Sequence, residues 1–228
     1  MSKVLVIKAH PHTDNSLSLA VGDEFVRAYR QSHPNDEIII RDLYAENGVP
    51  PLNDVTMSAW QKQKFDQPMT KEEKDLLSQH EAWLDEFISA DKYVFINPMY
   101  NHFLPAELKQ YLDLTAVARK TFRYTSNGPV GLLKNKKAIH IQAAGSEYHK
   151  DGKWGIVKFI FRKIFKIQSK ESCALMDLGD LYLTSALKTY GVNDIEKLFV
   201  EGADAHRDQR QTILNNALQE AGIMAKTF

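Results

Sequence analysis

Apolar positions along this chain follow two patterns in alternation: short continuous runs, and longer stretches with apolar residues at helical spacing. The short runs predict five strands, over residues 4–8, 37–41, 93–97, 137–143 and 195–200. Continuous apolar runs, unlike alternating ones, are typical of strands that are covered on both faces, as in parallel sheets. The pattern therefore predicts an α/β protein.

The stretches with helical spacing predict helices between these strands. One begins at Ser18, and the others cover residues 70–90, 105–118, 178–190 and 207–221. Thr70 and Glu73 have the spacing of a capping box, and Gly191 follows the helix at 178–190 as a terminator. Residues 43–69 are rich in proline and weakly periodic, so they predict a long excursion over the surface.

Five strands alternating with helices predict right-handed crossovers and one doubly wound sheet, in a single domain over residues 1–228. Five strands fit the flavodoxin-like order 2-1-3-4-5 better than the six-stranded dinucleotide fold. In that order the first and third strands are neighbours at the switch point. We therefore expect the loops at 9–18 and 97–104 to face each other across a ligand crevice.

Charge and cysteine content narrow the class of function. The 29 Lys and Arg residues balance the 29 Asp and Glu residues, so no net field draws the chain to nucleic acid. The first apolar run is too short for a signal peptide and no run reaches about 18 residues, which predicts a cytoplasmic protein. Cys173 is the only cysteine in the sequence, which excludes an internal disulfide and a zinc site with paired cysteines.

The loop after the first strand offers short polar side chains at the start of a helix, namely Thr13, Asn15, Ser16 and Ser18. It contains neither G-x-G-x-x-G nor a Walker lysine. The N–H groups and the dipole at a helix N-terminus suit a phosphate dianion, and hydroxyl side chains can donate to its oxygens. The alternative is that Asn15 or Ser16 is only a helix N-cap.

Across the crevice, residues 97–103 form a turn of amide, aromatic and thioether side chains between a buried strand and a helix. Such a turn at the carboxyl edge of a sheet is a platform for a flat molecule. A phosphate socket beside a flat platform is what flavin mononucleotide (FMN) requires. The two loops together predict FMN binding.

Three segments of the chain resemble one family: Ser16 with Ser18, residues 98–101 (Pro-Met-Tyr-Asn) and residues 121–129 (Thr-Phe-Arg-Tyr-Thr-Ser-Asn-Gly-Pro). It is the family of FMN-dependent NADH-azoreductases, also described as NADH:quinone oxidoreductases. The resemblance implies a flavodoxin-like homodimer with one FMN per subunit. It further implies a ping-pong cycle: NADH or NADPH reduces the flavin and leaves. A quinone or azo compound then takes the electrons, giving a hydroquinone or aromatic amines.

The resemblance also implies cofactor-binding residues. Contacts to the FMN phosphate fall on Ser16, Leu17 and Ser18, with His10 at a preceding position where the family commonly has serine. Contacts to the ring edge fall on Met99, Tyr100, Asn101 and His102. A third loop consists of Ala143, Ala144, Gly145 and Ser146. It matches a segment that often ends in two glycines, with Ser146 in place of the second glycine and Ala144 in place of a polar or basic residue.

Reduction of the acceptor also requires a proton, which reaches the acceptor from water or from a nearby side chain. The candidate side chains are His149, Tyr124 and His102. For each of these side chains the alternative is a structural, hydrogen-bonded role. The predicted site contains no metal.

Residues 153–176 form a basic amphipathic segment that we would not expect in shorter relatives. It has six Lys and Arg residues before its first acid, Glu171, and an apolar stripe at helical spacing beside them. Such a stripe can be buried against the core or a second subunit, or it can cover the flavin as a lid. Peripheral contact with an anionic membrane is the least favoured alternative.

Two other classes of function fit parts of the sequence. Residues 10–14 (His-Pro-His-Thr-Asp) slightly resemble the start of zinc-dependent deacetylases, although His12 and Thr13 stand where that motif needs acids. A flavodoxin-like regulatory subunit would instead dock on a membrane transporter through residues 153–170. A purified protein that contains zinc and binds no FMN would favour the deacetylase, whereas bound FMN would favour a flavoprotein. A pull-down with membrane fractions tests the regulatory subunit.

Overall fold

Five strands make up the central sheet of the computed structural model, which describes residues 1–11, 15–149 and 177–228. They are β1 (Lys3–Lys8), β2 (Glu37–Asp42), β3 (Lys92–Pro98), β6 (Lys137–Ala144) and β7 (Asp194–Glu201). All neighbouring strands are parallel, in the order β2-β1-β3-β6-β7. Between β3 and β6 in the chain, β4 (Phe122–Thr125) and β5 (Gly128–Gly131) form a separate antiparallel hairpin.

The helices of the described chain alternate with these strands. They are α1 (Leu17–Ser32), α2 (Asp54–Lys64), α3 (Lys71–Ser89), α4 (Ala106–Thr115), α5 (Leu178–Tyr190) and α6 (Arg210–Thr227), with a 3-10 turn at Arg207–Gln209 before α6. The side chains of Ser16 and Thr70 cap α1 and α3. Gly191, at a φ of 104°, ends α5 in the left-handed conformation that glycine adopts without strain.

The sheet confirms the predicted fold class. Each observed strand matches its predicted range to within one residue at either end. Counted over the five strands of the sheet alone, the observed order is 2-1-3-4-5, as in the flavodoxin-like fold. The crevice is therefore expected where β1 and β3 lie side by side.

The prediction for residues 43–69 was wrong, because α2 lies within this range. Asn53 begins α2 with a capping box to Thr56. The helix was missed because it buries only Thr56 and Ala59, which leaves too little apolar periodicity to detect. The β4–β5 hairpin was not predicted as strands for a similar reason, since each of its strands is four residues long and mostly exposed.

Successive residues of the strands point into two different cores. Val4 and Val6 of β1 belong to one apolar cluster with Phe25 of α1 and Ala221 of α6. Leu5 and Ile7, which alternate with them, belong to the other cluster, on the side of α3, α4 and α5. Burial on both faces explains why the strand sequences are continuously apolar.

Glu73, in the first turn of α3, joins α3 to α2. Its carboxylate accepts hydrogen bonds from the Ser58 hydroxyl at 2.6 Å, the Lys62 ammonium at 2.6 Å and the Thr70 backbone N–H at 2.8 Å. The bond from Lys62 is the largest effect on its pKa, followed by those from Ser58 and Thr70, and together they lower the pKa of Glu73 from 4.5 to about 2. Glu73 is therefore ionised in the folded protein down to acidic pH.

Protonation of Glu73 should make folding sensitive to acid. Because the pKa of Glu73 is depressed in the folded state, its contribution to stability is present above the unfolded value of 4.5 and is lost as pH falls toward about 2. We expect Glu73→Gln to make the free energy of unfolding, measured by urea titration, fall less steeply between these pH values. Glu72→Gln, one residue earlier and exposed, is the matched control. Equal slopes for the two variants would contradict this account.

The amphipathic segment predicted at residues 153–176 lies outside the described residues. In the described parts of the chain, no helix is long and apolar enough to cross a membrane. The single domain over residues 1–228 stays a prediction.

Candidate functional site

The N-terminus of α1 forms one side of the crevice. Ser16 is its N-cap, and the Ser16 hydroxyl oxygen accepts a hydrogen bond from the Leu19 N–H at 3.3 Å. The Ser18 hydroxyl lies 3.3 Å from that of Ser16, and Ser18 is fully buried. The structure therefore supports both interpretations of this loop at once: Ser16 caps the helix, and it brings two hydroxyls together at a positive helix end. Thr13 lies outside the described residues.

The turn after β3 forms the opposite side. The Met99 N–H donates to the Ala143 carbonyl at 2.8 Å, which extends the pairing of β3 with β6. Tyr100 and Phe103 then exchange two backbone hydrogen bonds of 2.9 Å, so the turn between them is closed. Its two central residues have left-handed backbones, with φ values of 50° at Asn101 and 65° at His102. This places the turn firmly at the carboxyl edge of the sheet.

Tyr100 is the aromatic side chain of this turn that faces the crevice. Burial raises the pKa of its hydroxyl, and the nearby Glu107 carboxylate raises it further. Tyr100 is therefore a neutral phenol at physiological pH. It can pack its ring against a flat ligand and still offer one hydroxyl proton.

The loops after β6 and β7 form the floor between these two sides. The Gly145 carbonyl accepts the N–H groups of Asp204 and Ala205, both at 3.1 Å, and the Gly202 N–H donates to the Ser146 carbonyl at 3.2 Å. A Cβ atom at Gly145 would lie 2.4 Å from the Asp204 carboxylate. A larger residue at this position would therefore have to displace the exposed Asp204 side chain from the cavity wall.

These loops enclose a cavity of about 310 Å³ at the switch point of the sheet. It is lined by His10, Asn15, Ser16, Leu17, Ser18, Pro98, Met99, Tyr100, Ala143, Ala144, Gly145, Ala203, Asp204 and Arg210. The volume lies at the lower end of the range usual for cofactor and ligand pockets. Nine of the twelve residues predicted to bind the cofactor therefore lie around one cavity. Asn101, His102 and Ser146 do not line it.

Sequence reasoning missed the contribution of β7 and α6, which supply Ala203, Asp204 and Arg210. An Arg210 guanidinium nitrogen donates to the Asn15 carbonyl at 3.1 Å, and another lies 3.6 Å from the Asp204 carboxylate. Among the described Lys and Arg residues, Arg210 is the one that lines the cavity. The signal that would have found this loop is its position, because every strand of a parallel sheet ends at the same edge.

Comparison with known proteins gives the same picture. A family model described as "Flavodoxin-like fold" matches residues 2–223. The FMN-dependent NADH:quinone oxidoreductase 2 of Lactiplantibacillus plantarum is 50% identical over 229 aligned positions, which cover 100% of both chains. The FMN-dependent NADH:quinone oxidoreductase 1 of Lactococcus lactis is 45% identical, again over 100% of both chains.

This chain belongs to the family of FMN-dependent NADH:quinone oxidoreductases. The predicted family is thereby confirmed. Among solved structures, an FMN-dependent NADH-azoreductase from Bacillus anthracis in complex with FMN superposes with a TM-score of 0.84 at 30% identity, covering 100% of this chain and 99% of that one.

His149 is the candidate proton donor with the clearest partners. Its ring Nδ1 lies 2.7 Å from one oxygen of Glu201, whose other oxygen accepts the N–H groups of Tyr148 and His149. Its Nε2 lies 3.9 Å from the Asp177 carboxylate, and its ring stacks on Phe199 with centroids 3.8 Å apart. These contacts fix the ring, while about a third of the side chain stays exposed to solvent.

The other two candidate donors sit differently. Tyr124, on β4, is 76% exposed and contacts the edge of the Phe122 ring. The His102 ring packs edge-on against Tyr148, with centroids 5.7 Å apart, while its carbonyl accepts the first N–H groups of α5. In the described chain, none of the three candidates lines the cavity.

The motif that resembled zinc-dependent deacetylases falls largely outside the described residues, since His12, Thr13 and Asp14 are not among them. Over residues 1–11, 15–149 and 177–228, no cluster of three or more His, Cys, Asp or Glu side chains has the arrangement of a metal site.

Proposed function

We propose that this chain transfers two electrons from NADH, through bound FMN, to a quinone. The observation that supports this most directly is the cavity at the switch point, where the hydroxyls of Ser16 and Ser18 face the turn at Met99 and Tyr100. The membership of the chain in a family of FMN-dependent NADH:quinone oxidoreductases supports the same conclusion. No nucleophile or metal is required of the protein for such a reaction.

The residues around the cavity fit FMN at both ends. At the α1 end, two hydroxyls, a helix N-terminus and the Arg210 guanidinium suit a phosphate dianion. At the other end, Met99, Tyr100 and Ala144 offer apolar and aromatic surface to a planar ring. When bound, FMN supplies the capacity to take up and release electrons in pairs.

The protein's own contribution to the reaction is to bind, orient and supply protons. The Gly145 loop, which is held by its bonds to the loop after β7, offers backbone N–H groups in fixed positions to the polar edge of a flavin. His149, held between Glu201 and Asp177 but open to solvent, is the candidate we favour for passing a proton to the acceptor. Tyr124 and His102 remain the alternatives.

Several features of this function are proposals that follow from the family resemblance. We propose a ping-pong cycle, a homodimer with one FMN per subunit, and a cytoplasmic location. Azo compounds are a second class of acceptor, supported by the azoreductases among the structural neighbours. NADPH is included as a donor because a flavodoxin-like fold has no counterpart of the ribose-binding carboxylate by which the dinucleotide fold selects NADH.

The decisive experiment follows the flavin directly. Purified protein is titrated with FMN, reduced by NADH or NADPH in a stopped-flow instrument, and then mixed with a panel of quinones and one azo dye. We expect bound FMN, complete reduction by a nicotinamide nucleotide, and reoxidation by quinones. A protein that binds no FMN, or whose bound FMN no nicotinamide nucleotide reduces, would overturn the proposal.

Arg210 should contribute specifically to the phosphate end of the site. A charge-assisted hydrogen bond is worth about 1.5–3 kcal/mol, so we expect Arg210→Gln to weaken FMN binding by about tenfold or more. Riboflavin, which has no phosphate, should bind both proteins equally. Fluorescence titration of FMN-free protein measures both constants.

The matched control is Arg207→Gln. Arg207 lies three residues earlier, at the 3-10 turn, and does not line the cavity. Arg207→Gln should change the dissociation constant for FMN by less than about twofold. An equal loss of FMN and riboflavin affinity in Arg210→Gln would show that the side chain supports the loop and not the phosphate.

A further inference from the structure

A cluster of buried polar side chains lies directly beneath the turn at Met99–His102. This polar cluster consists of Asn97, His140, Gln142, Asp177 and Asp180, and every member is at most 6% exposed. Buried polar groups carry a cost unless they are fully hydrogen-bonded. The cluster is not part of the cavity lining, so the proposed flavin chemistry does not by itself explain it.

The hydrogen bonds of Asn97 fix the orientation of its amide. The Asn97 amide nitrogen lies 3.0 Å from the Pro98 carbonyl oxygen, which can only accept. That nitrogen also lies 3.3 Å from the Gln142 side-chain oxygen, while the Gln142 nitrogen faces the Asp177 carboxylate. The Asn97 side-chain oxygen must therefore face His140, whose Nε2 lies 2.9 Å away. Because that oxygen accepts, Nε2 of His140 carries a proton.

The second ring nitrogen of His140 is constrained in the same way. Its Nδ1 lies 3.0 Å from one oxygen of Asp180, and the Lys197 ammonium donates to the other oxygen. Burial raises the pKa of Asp180, but the hydrogen bonds and charges of its partners outweigh it and hold that pKa below its usual value. The contact with the Lys197 ammonium keeps Asp180 an ionised acceptor whatever the charge of His140, so Nδ1 carries a proton as well.

Among the described residues, the groups around His140 are Asn97 from β3, Asp180 from α5, and Lys197 with the Phe199 ring from β7. Only the Asp180 carboxylate among them both faces the ring and carries a negative charge. Lys197, which is paired with His140 across β6 and β7, shares that carboxylate. A neutral imidazole has only one N–H group, so it cannot donate to two acceptors at once. An imidazolium has two N–H groups and can bind both.

The polar cluster also holds both ends of the turn. At the first end, Asn97 binds the Pro98 carbonyl. At the second end, the N–H groups of Leu178 and Gly179 bind the His102 carbonyl at 3.0 and 3.2 Å. They are the first residues of α5, which Asp177 caps by accepting the Asp180 N–H at 2.7 Å. His140 contacts both arms, through Asn97 and through Asp180.

We propose that His140 is a buried imidazolium and a positioning residue, which holds the turn at Met99–His102 in the form that receives the flavin ring. This inference rests on the proposed function in one respect, namely that the ligand received by the turn is a flavin. The charge on His140 follows from its two hydrogen bonds and from the Lys197–Asp180 ion pair, and not from the proposed function.

Nitrogen-15 NMR of histidine-labelled protein tests the charge. We expect both ring nitrogens of His140 to give N–H signals in the folded protein at neutral pH, because each of them faces an acceptor. The resonances are assigned by their loss in His140→Gln, or by through-bond correlation in the wild type if that variant does not fold. An unprotonated ring nitrogen on His140 in that spectrum would refute the proposal.

Flavin binding tests the positioning role. We expect His140→Leu to weaken FMN and riboflavin binding equally, by about tenfold, and to shift the visible spectrum of the bound flavin, because the turn meets the ring and not the phosphate. Ile139→Val is the control, since Ile139 is equally buried on the same strand but points into the opposite core. Affinities and spectra that match those of the control would overturn the positioning role.

A third variant separates positioning from general stability. Asn97→Ala should weaken flavin binding about as much as His140→Leu, and the double variant should be no worse than either, because both act on the same turn. If the double variant instead lost flavin affinity by the product of the two single losses, the proposal would be contradicted. If wild-type protein binds no FMN at all, the proposed function fails, while the NMR result still decides the charge of His140.

Discussion

Replacing Ser16 with aspartate should greatly weaken FMN binding while leaving the fold intact. Aspartate caps a helix as well as serine does, so α1 keeps its N-cap. The new carboxylate would lie at the phosphate end of the cavity. Two unit charges about 4 Å apart at an effective dielectric constant of about 20 repel by about 4 kcal/mol. We expect the dissociation constant for FMN to rise by at least about 100-fold.

Ser16→Asn provides the control for this experiment, because asparagine has the same size and capping ability but no charge. It should bind FMN within about tenfold of the wild type. Riboflavin should bind Ser16→Asp and Ser16→Asn about equally, as it brings no phosphate to the carboxylate. If Ser16→Asp lost riboflavin and FMN alike, the phosphate would have to lie elsewhere.

Replacing Gly131 with alanine should have the largest effect on stability. A Cβ atom at Gly131 would lie 2.2 Å from the backbone nitrogen of Gly191 and 2.4 Å from its Cα. Neither side can yield easily, because Gly191 has a φ of 104° and the Leu133 N–H is bound to the Tyr190 carbonyl at 2.9 Å. We expect the free energy of unfolding to fall by about 3 kcal/mol.

Urea unfolding of FMN-free protein measures this loss without the stabilisation that a ligand adds. Val130→Ala, at an exposed neighbouring position, should change the free energy of unfolding by less than about 0.5 kcal/mol. A Gly131→Ala variant as stable as Val130→Ala would mean that the hairpin and the end of α5 can separate freely.

Parts of the molecule that depend on local pattern could be predicted from the sequence. The run Val4–Ile7 is apolar on both faces and became β1, and Gly191 ended α5 where the apolar spacing stopped. The capping box of Thr70 and Glu73 was equally legible, because its two side chains are three residues apart. Such features need no knowledge of distant residues.

Features that depend on tertiary contact could not be predicted in this way. Arg210 and Asp204 are polar residues of a kind common on any surface, and only the shared edge of the sheet brings them to Asn15. Asn101 and His102 lie in the turn that the sequence singled out, yet they adopt left-handed backbones and do not line the cavity. His140 shows no sign of its role in sequence, since its partners Asn97 and Asp180 lie 43 and 40 residues away.

The closed turn between Tyr100 and Phe103, together with the Gly145 carbonyl bound by two N–H groups, has a thermodynamic consequence. Walls that already satisfy their own hydrogen bonds lose little conformational entropy when a ligand arrives, so more of the contact energy remains as affinity. A cofactor bound between such loops should dissociate and rebind without unfolding them. Repeated removal and reloading of the flavin is therefore expected to regenerate the same protein.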